Sequence, residues 1–88
     1  MNSRDLEQLR LSLLRYLDEN PTRFGLPASF LRQRAASEGF SADVPAVERE
    51  LDYLTEKNLV TVVNKEVSPE NRAWRISANG RDYRAQHE

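Results

Sequence analysis

Residues 43–83 read DVPAVERELDYLTEKNLVTVVNKEVSPENRAWRISANGRDY, and this stretch decides the fold. Apolar residues recur in its first part at spacings of three and four, which predicts an amphipathic helix. Asp43 is the expected N-cap of that helix, which ends at Lys57. Asn58 tolerates the left-handed conformation that often follows a helix, so it is the expected C-terminal cap.

An apolar segment over residues 59–63 follows the helix and has the composition of a β-strand. Residues 68–71, Ser-Pro-Glu-Asn, suit a type I turn because proline fixes φ at the second position. The chain then returns through a second strand over residues 73–76, so we predict a two-stranded antiparallel hairpin. Ser77 is the expected N-cap of a short last helix over residues 80–84.

Two further helices are predicted before this stretch. The first covers residues 4–19 behind an N-cap at Ser3, with leucines that form one apolar stripe. Pro21 stops it, since the residue before a proline resists the helical conformation. The second covers residues 27–38, where proline at the first position costs no hydrogen bond, and Gly39 is its expected left-handed cap.

The apolar faces of these elements define a predicted core. Phe24 and Leu26, between the first two helices, are expected to tuck into it. Leu11 lies opposite the leucine stripe and is expected to be exposed, and we expect a monomer or a weak homodimer. The predicted core residues are Leu6, Leu9, Leu13, Leu17, Leu31, Val47, Leu51, Leu54, Leu59, Val62, Trp74 and Ile76.

Composition bounds the class of protein. The 88 residues, 39% hydrophobic and 31% charged, predict one α+β domain over residues 1–88, with frayed ends at 1–3 and 85–88. No apolar run approaches the roughly 20 residues that span a bilayer, and no apolar signal core follows the N-terminus. We therefore expect a cytoplasmic protein without a membrane partner.

Catalysis finds no support in the sequence. There are no cysteines, which excludes thiol catalysis and cysteine-ligated zinc. The single histidine, His87, lies in the expected frayed tail, and the three glycines are isolated rather than part of a phosphate-binding loop. We predict that the protein is not an enzyme and holds no cofactor or metal.

Two segments carry a resemblance to a known family. VERELDYLTEKNLV at residues 47–60 is similar to the third helix and first hairpin strand of winged helix-turn-helix proteins. WRISANGRDY at residues 74–83 is similar to the strand and Ser-x-x-Gly-x-x-aromatic helix that closes many winged-helix regulators. Length and layout more narrowly resemble small winged-helix proteins of Mu-like phages and prophages, whose function is unassigned. The resemblance implies a winged-helix fold whose third helix is the recognition helix.

The charge of that helix conflicts with the implied role. Residues 43–58 contain five acids and two bases, a net charge of −3, whereas each flank of the chain is +1. DNA presents one negative charge per about 1.7 Å of axis, so an acidic helix is repelled before any base is read. The third helix is therefore expected to lie at the periphery of any DNA contact.

Two function classes follow. In the first, the protein is a phage-type transcriptional regulator that binds double-stranded DNA through helix two and the wing, which is the predicted hairpin. The candidate DNA-binding residues are Arg32, Arg34, Arg49, Lys65, Arg72 and Arg75. In the second, it is a protein-interaction module that docks on a basic partner through an acidic helix-three face. The candidate interaction residues are Glu48, Asp52, Tyr53 and Glu56.

Overall fold

The computed structural model describes residues 2–63 and 72–87, so the turn at 68–71 and Lys65 lie outside the described residues. Within these ranges the fold is α+β, as predicted, with four helices and three strands. The elements are α1 (Ser3–Glu19), β1 (Leu26–Pro27), α2 (Ala28–Ser37), α3 (Val44–Glu56), β2 (Val60–Val63), β3 (Ala73–Ile76) and α4 (Ala78–Gln86).

The sheet has three strands rather than the predicted two. Its order is β1-β3-β2, and both pairings are antiparallel. Leu26 pairs with Trp74 at the edge, where a proline next to it is tolerated. Gly25 adopts a φ of 74°, and a Cβ there would lie 2.9 Å from the Trp74 carbonyl oxygen. A two-residue strand is too short to show alternation, so the sequence pattern missed it.

The helix ends follow the expected chemistry with two corrections. Asp43 accepts a hydrogen bond from the Ala46 N–H at 2.9 Å, which confirms it as the α3 cap. Helix α1, however, is capped by Asn2 rather than Ser3. The second helix begins at Ala28, not at the preceding proline, because that proline belongs to β1. Both Asn and Ser are good caps, so composition alone did not separate them.

Left-handed residues end α2 and α3 as predicted. Gly39 has a φ of 95° and Asn58 a φ of 62°. After each, the next N–H returns to the last helical turn, from Phe40 to the Ala35 carbonyl and from Leu59 to the Leu54 carbonyl. The last helix, α4, is capped by Ser77, as predicted, and extends to Gln86, two residues beyond its expected end.

One core lies between the helices and the sheet. Most predicted core residues are buried, but Leu6, Leu59 and Val62 are only partly so. Phe24, expected to be inside, is 58% exposed, and Leu11, expected to be outside, is partly buried. Core residues that were not predicted are Leu14, Tyr16, Ala28, Ala35, Ala42, Val60 and Ala73. No helix in the described ranges is both long and apolar enough to cross a membrane.

Candidate functional site

The side chains of α3 divide into a buried face and three accessible surfaces. Val47, Leu51 and Leu54 are buried and fix the orientation of the helix. Successive residues turn by about 100°, which sends neighbours on the helix in different directions. We call the surface of Glu48 and Asp52 the hairpin flank, that of Arg49 and Glu56 the outer face, and that of Tyr53 and Lys57 the α1 flank.

The hairpin flank is bound by the arginine that immediately precedes β3. Arg72 Nη1 donates to Asp52 Oδ1 at 3.1 Å, and Nη2 donates to Glu48 Oε2 at 3.4 Å. The Arg72 guanidinium carbon also lies 5.0 Å from the centroid of the buried Trp74 ring. Arg72 therefore neutralises two acids of α3 and ties the hairpin to that helix.

A third acid of α3 is neutralised from α1. Glu50 is 7% exposed, and its Oε1 accepts a hydrogen bond from Arg10 Nε at 2.6 Å. A buried carboxylate requires such a partner, because desolvation without one is costly. The sequence indicated five acids in this region, but three of them are paired with arginines from outside the helix. Asp43 caps the helix, which leaves Glu56 as the acid of the outer face.

The α1 flank is cationic rather than acidic. Tyr53 is 37% exposed, and the Arg10 guanidinium carbon lies 3.9 Å from its ring centroid. The Lys57 ammonium lies 5.6 Å from the same centroid. The structure therefore does not bring Tyr53 into one face with Glu48 and Asp52, which lie on the hairpin flank. The continuous acidic face centred on Tyr53 is absent from the described part of α3.

The predicted DNA-binding residues are also dispersed. Arg49 is exposed on the outer face of α3. The hairpin is held against the neighbouring hairpin flank of this helix by Arg72. Arg34 instead turns toward α1, with its guanidinium carbon 5.4 Å from the Tyr16 ring centroid. Arg32, two positions away and so rotated by about 200°, lies on the opposite flank of α2.

The remaining wing arginine lies away from Arg72. Arg75 is exposed on β3, where Ala73, Trp74 and Ile76 are buried, and its register partner is Thr61. It borders a small cavity beside Pro21 and Arg81. The predicted wing cluster is therefore split between two sides of the hairpin. Lys65, its third member, lies outside the described residues.

A polar network between α1 and the end of α2 was not predicted. Arg15 and the Tyr16 hydroxyl both donate to Glu38 Oε1, at 2.5 and 2.8 Å. The hydrogen bond from Arg15, followed by that from Tyr16, holds the pKa of Glu38 below its usual value. Burial, assisted by the hydrogen bond to Glu38, raises the pKa of Tyr16 to about 12. These contacts fix α1 against α2.

No family model, curated protein or solved structure matches this chain significantly.

Proposed function

We propose that the protein is a non-catalytic, winged helix-turn-helix DNA-binding protein of the phage or prophage regulator type. The order of elements supports this assignment. Helices α2 and α3 pack against each other after a connection over residues 38–43, and the β2–β3 hairpin follows directly. The segments that resemble winged-helix proteins coincide with α3, the hairpin and α4.

The observation that carries the proposal is the pairing of Arg72 with Glu48 and Asp52. The sequence argued against DNA because α3 has a net charge of −3. With Arg72 and Arg10 against its sides, the net charge of this region changes from −3 to −1, and the outer face retains Arg49. The DNA surface is then formed by Arg49, Arg32 and the hairpin, with Arg72 holding the hairpin against the helix.

A titration of a labelled duplex of random sequence tests this proposal. Binding should be detectable by fluorescence anisotropy at about 50 mM salt and should weaken steeply toward about 200 mM. Arg49→Gln should weaken binding and lower the slope of log K against log salt by about 0.9, as expected for one lost phosphate contact. Arg34→Gln removes the same charge from the α1 side and is the matched control. Absence of binding by the native chain at low salt would refute the proposal.

The alternative, an acidic docking surface for a basic protein, receives less support. Two of its four residues are engaged by Arg72, and the Tyr53 ring centroid lies 3.9 Å from the Arg10 guanidinium carbon and 5.6 Å from the Lys57 ammonium. A basic partner would have to displace Arg72 from Glu48 and Asp52 before binding them. The observation that favours an interaction role is the partial exposure of Tyr53, and Tyr53→Ala should abolish partner capture if that role is correct.

A further inference from the structure

A groove of about 350 Å³ lies between α1, α3 and α4 on the α1 flank. Its apolar lining includes Leu11 of α1, Leu59 immediately before β2, and Tyr83 of α4. None of these three side chains is fully buried, and Leu59 and Tyr83 pack against the core. The volume falls within the range of about 300–1,000 Å³ that is typical of small-molecule sites.

Two cations converge on the aromatic wall of this groove. Arg10 and Lys57 both lie within cation–π distance of Tyr53, at 3.9 and 5.6 Å from its centroid. Arg10 is held in place by the buried Glu50 through Nε alone. Its two terminal nitrogens donate no hydrogen bond to any protein group in residues 2–63 and 72–87, and they retain the fork geometry that binds a carboxylate.

The groove offers two cationic donors to an anionic ligand without an excess of positive charge. Its lining carries Glu7, Arg10 and Lys57, and the charge of Arg10 is already balanced by the buried Glu50. An anion would therefore bind through the terminal nitrogens of Arg10 and the Lys57 ammonium. Arg10 is fixed before any ligand arrives, so little side-chain entropy is lost on binding. The volume of the groove therefore suits a small molecule as its ligand.

We infer that this groove binds a small molecule that joins an apolar, preferably aromatic, body to a single carboxylate. The apolar body lies against Leu11, Leu59 and Tyr83, and the carboxylate accepts hydrogen bonds from the terminal nitrogens of Arg10 and from the Lys57 ammonium. The inference does not depend on DNA binding, since none of these residues belongs to the proposed DNA surface.

The test uses the full chain and 2-naphthoate as the probe, with 2-naphthamide as its neutral counterpart. Two-dimensional amide NMR should show saturable shifts at Leu11, Tyr53, Lys57 and Tyr83 as naphthoate is added. The carboxamide should bind at least about fivefold more weakly, because it lacks the charge that Arg10 and Lys57 bind. Equal binding of the two compounds, shifts at other residues, or no saturation at millimolar concentrations would each overturn the inference.

Substitutions at the two cations test where the carboxylate of the ligand binds. Lys57→Gln should weaken naphthoate binding by about threefold to fivefold, as expected for a partly exposed ion pair, and leave carboxamide binding unchanged. Arg49→Gln removes the same charge from the outer face of α3 and should change neither affinity. Because Arg10→Gln deprives the buried Glu50 of its partner and threatens folding, Lys57→Gln carries the test. An unchanged affinity of Lys57→Gln for naphthoate would contradict the proposed carboxylate position.

Discussion

Arg72 and Asp52 are 20 residues apart in sequence, and their side chains meet through a hydrogen bond of 3.1 Å. The same guanidinium reaches Glu48 and covers the Trp74 ring. The residue immediately before β3 therefore sets both the position of the hairpin against α3 and the charge that α3 presents. The surface charge of α3 therefore depends on the hairpin as well as on its own residues.

Leu51→Ala should destabilise the domain by about 2–5 kcal/mol. Leu51 is fully buried on the core face of α3, and truncation removes its contacts and leaves a cavity. Urea unfolding followed by far-UV circular dichroism measures the change. Thr61→Ala, at an exposed position of β2, should stay within about 0.5 kcal/mol. A loss below about 1 kcal/mol for Leu51→Ala would contradict the assigned core face.

Glu50→Gln should lower the free energy of unfolding by about 1–3 kcal/mol, because it removes the charge that binds Arg10. The carboxylate is nearly buried and accepts a 2.6 Å hydrogen bond from that arginine. Chemical denaturation gives the measurement. Glu7→Gln makes the same chemical change at an exposed position of α1 and should have little effect. Equal stability of both variants would show that the Arg10–Glu50 pair contributes nothing to folding.

Gly80→Ala should destabilise the domain by about 1–3 kcal/mol, although alanine is the better helix former. A Cβ at this position would overlap the Leu59 carbonyl oxygen and lie 2.7 Å from Ile76 Cγ1. Helix α4 can pack against the start of β2 only where a side chain is missing. Asn79→Ala, at the exposed neighbouring position, is the control for helix propensity. Thermal unfolding of both variants separates the two effects, and a Gly80→Ala variant as stable as Asn79→Ala would refute the close packing.

Stability should fall at high pH through Tyr16. Its pKa is raised to about 12, so its neutral form is favoured by folding. This contribution is complete below the ordinary tyrosine pKa of about 10 and is lost as pH rises through about 12. Tyr16→Phe keeps the buried ring but cannot ionise, so its urea midpoint should fall less over this interval. Parallel midpoint curves for the two proteins would rule out this linkage.

Local sequence patterns predicted most of the fold because they act over one helical turn or one strand. The cap at Asp43 and the left-handed residues Gly39 and Asn58 depend on neighbours in sequence, and each was predicted correctly. Strand β1 could not be predicted, since two residues carry no periodicity and their pairing depends on β3. The exposure of Phe24 likewise depends on how the connection crosses the surface.

The candidate site was less predictable because charges pair across the chain. The sequence showed that α3 is acidic, but not that Arg10 and Arg72 lie against it from residues 40 and 20 positions away. Arg10 pairs with Glu50 of another helix, and no local spacing in the sequence indicates this contact. The burial of Glu50, which makes a partner necessary, appears only in the structure.

Glu56 and Asp52 are both acids of α3, but only Asp52 is paired with Arg72. Glu56→Lys reverses an outer-face charge without disturbing Arg72, so it should strengthen nonspecific duplex binding and leave stability nearly unchanged. Asp52→Lys makes the same charge change but places a cation beside Arg72, so it should also lower stability by up to about 1 kcal/mol. Anisotropy titrations at several salt concentrations, paired with urea unfolding, measure both properties. If Glu56→Lys leaves duplex affinity unchanged at low salt, the outer face of α3 does not approach DNA.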